Sequence, residues 1–102
     1  MTIAPSPALA VARLEMEILL IMEQETPSEY RGEYFFTFRF FDDKTAIDRE
    51  VLRGLMRSLR NRGFTQYGTG FNEDGMINGA GYSLTLEGVT YLMGLIALFG
   101  AD

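Results

Sequence analysis

Residues 48 to 63, DREVLRGLMRSLRNRG, constrain the chain most, because their side chains sort into two faces only if the segment is an α-helix. At 100° per residue, Val51, Leu52, Leu55 and Leu59 fall within about 100° of one another, the width of a stripe that packs on a core. Arg49, Arg53, Arg57 and Arg60 fall within about 80° on another face. Such a helix needs an apolar body on one side and carries its charge on the other. Of the nine basic residues in the chain, these four and Arg62 lie in this one segment. Asp48 or Thr45 is placed to cap its start, and Gly63 to end it.

The rest of the chain must supply that body. With 102 residues, 47% apolar and 13% aromatic, it reads as one domain too apolar to remain disordered, spanning 1–102, with residues 1–7 a flexible start interrupted by Pro5 and Pro7. ALAVARLEMEILLIMEQE follows with helical spacing, Pro7 standing at or just before its first turn. Val11, Leu14, Ile18 and Ile21 make one apolar line, which Met16, Leu19 and Leu20 widen. A face this wide has either two neighbours, its own core and another subunit, or belongs to a central helix surrounded by its own domain.

A last helix is predicted over 86–99, capped by Thr85. Val89, Leu92, Met93, Leu95, Ile96, Leu98 and Phe99 leave it apolar almost all round, so it either completes the core or meets a partner, and the partner is the favoured reading. The two terminal helices together predict a homodimer interface containing Leu14, Ile18, Leu92, Leu95, Ile96 and Phe99.

Between the helices, TPSE at 26–29 fits a capping box, with Thr26 as cap, Pro27 at the first position and Glu29 closing it, and predicts a short helical turn over 27–32. EYFFTFRFF at 33–41 mixes alternation (Tyr34, Phe36, Phe38, Phe40) with near-continuous aromatics. β-propensity predicts a strand there, ended by a turn at Asp42, Asp43 and Lys44. So dense an aromatic run could stack nucleic-acid bases, but with only Arg39 interleaved, packing in a core or interface accounts for it better. Beyond the arginine helix, FTQYGTGF and GAGYSLT flank NEDGMIN, which predicts a β-hairpin with a polar, glycine-containing tip.

Several kinds of chemistry are excluded. There is no cysteine and no histidine, which removes thiol catalysis, disulfides, Ser-His and Cys-His relays and zinc sites built from those residues. GTGFNEDG and GAG lack dinucleotide and P-loop spacing, and Asn72, Glu73, Asp74 and Asn78 lack that of a calcium loop. The acid pairs Glu15 with Glu17 and Asp42 with Asp43 read as surface charge. We therefore expect no enzyme, metal or cofactor. MTIAPSPALAVA has no positive charge ahead of its small apolar residues, which argues against a secretory signal, and no apolar run reaches the ~18 residues of a membrane span. A cytoplasmic protein is the expectation. The net charge of −5 argues against indiscriminate binding to nucleic acid or anionic membrane and leaves room for a local basic patch.

Helix, short helix or strand, basic amphipathic helix ending in RGF, hairpin, then LTLEG opening another helix: this order resembles a winged helix-turn-helix domain, most like those of MarR-like and PadR-like bacterial regulators, over residues 8–99. LRGLMRSLRNRGF (52–64) looks like the end of a recognition helix leading into the first wing strand. YSLTLEGVTYL (82–92) looks like the second wing strand and the helix after it, with Leu84 and Leu86 alternating inward, and TPSE resembles the opening of the second helix. The resemblance implies an α+β fold, a winged helix-turn-helix with N- and C-terminal helices and a β-hairpin wing in its C-terminal half. It further implies a homodimeric transcriptional regulator that binds double-stranded DNA, with Arg49, Arg53 and Arg57 at guanine edges or phosphates and Arg60 and Arg62 on the flanking backbone. A reading of another class is a winged-helix protein-interaction module that does not bind DNA, such as a phage or mobile-element inhibitor of a host nucleic-acid enzyme. Its acidic wing tip, Glu73 and Asp74, would capture a basic partner.

Overall fold

The arginine segment is a helix, and its two ends are fixed by side chains and backbone close at hand. In the computed structural model, which describes residues 7–30, 34–69 and 80–100, it runs Arg49–Asn61. The Asp48 carboxylate accepts the Glu50 N–H at 3.0 Å at its start. At its end Gly63 takes φ +86°, a left-handed conformation that glycine adopts freely, and the Phe64 N–H closes back onto the Leu59 carbonyl at 2.9 Å.

The described residues form an α+β domain of four helices and one antiparallel hairpin: α1 (Pro7–Glu25), a 3-10 turn (Ser28–Tyr30), α2 (Phe38–Asp42), α3 (Arg49–Asn61), β1 (Thr65–Gly68), β2 (Gly81–Leu84) and α4 (Leu86–Phe99). Pro7 opens α1, where its missing N–H has no helical partner to lose. The remainder of the expected flexible start, residues 1–6, and the hairpin tip, residues 70–79, lie outside the described residues.

The core joins α1 (Ile18, Leu19, Met22), α3 (Leu52, Leu55, Met56, Leu59) and α4 (Leu92, Leu95) to a cluster of aromatics. The buried stripe of α3 is displaced from the predicted one: Val51 is 45% exposed and Met56 is fully buried. Leu55, Leu59, Leu52 and Met56 still span about 100° of the helix, but the arc has moved toward Arg49 and away from Val51. Burial of Met56 thus brings one edge of the arginine face against the protein body.

Three local expectations change. Thr26 does not cap a second helix; its hydroxyl donates to the Met22 carbonyl at 2.6 Å and finishes α1, while the short helical turn expected over 27–32 is present as a 3-10 turn at Ser28–Tyr30, residues 31 and 32 lying outside the described residues. The strand expected over 33–41 is not continuous among its described residues: Tyr34 and Phe36 are single bridge residues, Phe36 joined to Tyr82 of β2 through N–H to carbonyl bonds of 2.7 and 2.9 Å, and from Phe38 the chain is helical, capped by the Thr37 hydroxyl accepting the Phe40 N–H. In a strand, consecutive residues point to opposite faces, so Phe40 and Phe41 could not both enter one core; in α2 both are buried, edge to face at 5.2 Å, with the Phe36 ring tilted against Phe40 at 4.6 Å. Leu86 is 71% exposed, because the strand ends at Leu84 and Leu86 is the first residue of a helix.

The junction before α4 is tight. Thr85 accepts the Gly88 N–H at 2.9 Å and donates to the Gly63 carbonyl at 2.7 Å, tying the last helix to the end of α3. At Gly88 a Cβ would lie 2.0 Å from the Phe64 carbonyl oxygen, so the first turn of α4 presses backbone to backbone on the exit from α3. β1 and β2 pair with Thr65 opposite Leu84 and Tyr67 opposite Tyr82.

Candidate nucleic-acid interface

The helical wheel explains what each arginine does. Taking Arg49 as zero, Arg60 lies at about 20°, Arg53 at about 40° and Arg57 at about 80°, while the buried arc centres near 290°. Arg49 and Arg60 therefore border the protein body, and Arg57 points most nearly away from it.

The contacts follow that order. Arg49 is held by Asp42, with Nε donating to Oδ1 at 3.2 Å and Nη2 paired with Oδ2, and its guanidinium lies 5.7 Å from the Phe38 ring centre. The hydrogen bonds it donates to Asp42 are the chief reason its pKa is raised above the ordinary arginine range. Arg53 lies 5.6 Å from the same ring and 4.0 Å from Glu50. Arg60 lies 5.6 Å from the Tyr67 ring on β1. Arg57 is exposed and meets neither acid nor ring among the described residues, and the same holds for Arg39 on α2.

Arg62 belongs elsewhere. It stands at the C-cap of α3, off the arginine face, and its Nη2 pairs with the carboxylate of Glu15 on α1. Its Nη1 donates to the Tyr91 hydroxyl at 3.3 Å, and that hydroxyl donates to Glu15 Oε1 at 2.6 Å. The guanidinium also covers Phe64 and Tyr91, whose rings stack 4.1 Å apart and nearly parallel. Burial works against its charge, but the bonds to Tyr91 and Glu15 outweigh burial and keep it raised. Burial, with the bond to Glu15, likewise raises the Tyr91 hydroxyl against the opposing effect of Arg62. Glu15, expected at the surface with Glu17, is only 2% exposed. Arg62, expected on the flanking DNA backbone, is instead engaged within the fold, where it joins α1, α3 and α4.

The predicted dimer residues also divide. Ile18, Leu92 and Leu95 are buried in the core of the chain itself, and Leu14, Ile96 and Phe99 are half-buried. Apolar surface is instead left by Leu9, Val11, Met93 and Leu98, and a groove of about 360 Å³ runs between Leu9, Arg13, Leu14 and Phe99. Glu73 and Asp74 lie outside the described residues. Among the described residues no acidic cluster could hold a metal ion, and no helix is long and apolar enough to cross a membrane.

The sequence did not single out Phe38, Tyr82 and Tyr67, whose rings lie beside the arginine row. Tyr67 and Tyr82 face each other across the hairpin at 5.0 Å, and Tyr82 meets Phe38 at 5.8 Å. The signal available was the alternation Thr65, Tyr67 in β1, which puts the tyrosine on the face that begins against α3. No protein-family model matches the chain, no curated protein matches it, and no solved structure matches it.

Proposed function

We propose that the protein is a small winged-helix transcriptional regulator, a binding protein rather than an enzyme, that lays α3 on double-stranded DNA. The observation that carries this reading is the outward row of Arg53, Arg57 and Arg60 on a helix whose opposite side is locked into the core. A rigid row of guanidiniums suits phosphates and guanine edges, which accept paired hydrogen bonds in the plane of the fork. The element order, with a short helix before the basic helix and a hairpin and helix after it, is the order the resemblance implies. Arg49 joins the row only when it leaves Asp42, and Arg62 does not join it. In a chain of net charge −5 the affinity rests on this one helix, which favours specific over indiscriminate binding.

A homodimer fits the same reading. Leu9, Val11, Met93 and Leu98 leave apolar surface on the terminal helices, far in role from α3, and two copies joined there would present two arginine helices to successive half-sites. No cofactor enters, and the working place is the cytoplasm.

Binding to a random duplex pool at about 50 and about 200 mM salt tests the reading, with Arg53→Ala/Arg57→Ala beside the wild type. Wild-type binding that falls steeply with salt and enriches a repeated half-site, lost in the double variant, is the expected result. Equal affinity in the folded double variant, or no wild-type binding at the lower salt, overturns it.

A further inference from the structure

A second row runs beside the arginines. Phe38 from α2, Tyr82 from β2 and Tyr67 from β1 form a ladder of rings with centre-to-centre steps of 5.8 and 5.0 Å. Its two ends are tied to the basic helix: Arg53 lies over Phe38 at 5.6 Å and Arg60 over Tyr67 at 5.6 Å. Arg57, which meets no acid or ring among the described residues, stands between those two arginines in the sequence of α3. Arg53 and Arg60 are seven residues apart, or about 10 Å along the helix axis. The result is a strip with guanidiniums along one side and aromatic rings along the other.

Cross-strand packing explains part of this. Tyr67 and Tyr82 are directly opposed in the hairpin register, and such pairs stabilise a hairpin. Packing does not explain why Tyr67 remains 51% exposed or why a guanidinium covers each end of the ladder. The aromatic residues that serve the core are others: Phe36 and Phe41 are fully buried, and Tyr34 and Phe40 nearly so.

Duplex DNA has no use for the ladder. Its bases are stacked on one another and offer only their edges in the grooves, so a ring has no base face to lie on. An unpaired strand offers both things the strip is built to receive, phosphates for the arginines and open base faces for the rings. We infer that the Phe38–Tyr82–Tyr67 ladder, together with Arg53, Arg57 and Arg60, is a binding strip for single-stranded nucleic acid, with Tyr67 as the residue on which a base stacks. The inference rests on the reading of α3 as a nucleic-acid surface and specifies the form of nucleic acid that surface takes beyond the duplex. The strip joins residues from α2, α3, β1 and β2, so no single stretch of sequence announces it.

Fluorescence anisotropy at about 50 mM salt separates the two readings, using a labelled homothymidine strand, which cannot pair with itself, and a labelled duplex of mixed sequence. The full chain is compared with Tyr67→Ala, Tyr67→Phe and Arg57→Ala, each checked for folding by its melting curve. Because Tyr67 also covers the hairpin, Tyr67→Leu is added as a variant that keeps apolar bulk but has no ring face. The expected result is that Tyr67→Ala and Tyr67→Leu weaken homothymidine binding about 5- to 150-fold, the range of one base stacked on an aromatic residue, and leave duplex affinity within about twofold. Tyr67→Phe retains the single-strand affinity, and Arg57→Ala weakens both ligands. Wild-type binding to duplex but not to homothymidine overturns the strip and leaves the duplex reading standing. Equal losses on both ligands in Tyr67→Leu, or none on either, also overturn it. Binding to homothymidine but not to duplex supports the strip and removes the regulator, and failure to bind either ligand removes both.

Discussion

Arg62 donates to the carboxylate of Glu15 across 47 residues of chain, from the end of α3 to the middle of α1. The two partners are unequally covered: the Glu15 side chain is 3% exposed and that of Arg62 39%. A buried charge left alone must remain desolvated, whereas a half-open one turns to water.

Arg62→Ala should therefore destabilise the protein by about 3–5 kcal/mol, because Glu15 is left buried without its counter-ion. Glu15→Ala should cost less, about 1–3 kcal/mol, since the freed guanidinium can rehydrate and only hydrogen bonds are lost. Urea unfolding of both variants measures the difference. Equal losses, or the reverse order, would contradict the unequal burial.

Tyr91 carries a pH dependence. Its hydroxyl titrates above the ordinary tyrosine range, chiefly because burial disfavours the phenolate and also because it donates to Glu15. A folded-state pKa above the unfolded value of about 10 gives stability that is complete below that pH and is lost as pH rises through the folded pKa. Tyr91→Phe should be less stable at neutral pH and should lose less further stability across the alkaline limb. Parallel stability curves for the two proteins above about pH 9 would remove Tyr91 as the cause.

Two glycines in helices should respond with opposite signs. Gly88→Ala drives a methyl group into the Phe64 carbonyl, where backbone must move, and a loss of about 3 kcal/mol is expected, at the upper end for overpacking. Gly54→Ala, in the exposed interior of α3 with nothing within 4 Å of the new Cβ, should stabilise by about 0.5–1 kcal/mol through helix propensity. Thermal unfolding decides both, and a stabilised Gly88→Ala would refute the close approach of α4 to the exit of α3.

Asp42→Ala should tighten DNA binding if α3 is the reading surface, because it releases Arg49 and removes a negative charge at its side. The pair is exposed on both sides, so it is worth about 0.2–1 kcal/mol and the gain is bounded near fivefold. Direct titration of duplex with wild type and variant measures it. Weaker binding by the variant would mean that Asp42 positions Arg49 for contact and does not withhold it.

The sequence by itself determined the elements whose signals are local. The bounds of α4 follow from the Thr85 cap and an apolar run, and α3 from the 3.6-residue period and Gly63, with its cap left between Thr45 and Asp48, since each of these signals acts within a turn or two of the backbone. The six aromatics of 34–41 were ambiguous because they satisfy the strand period as well as they satisfy a core. The choice fell to helix when Phe40 and Phe41 both found room in the same cavity, a fact about α1 and α3 that no nine-residue window contains. The same limit applies to the arginines. Their common face is periodicity, legible in the sequence, but which of them are held by Asp42, by the Phe38 and Tyr67 rings or by Glu15 depends on where Met56 settles and which elements lie alongside α3. Only the tertiary structure decided that, because charge pairing and ring contact act over a few ångströms of space and take no account of distance along the chain.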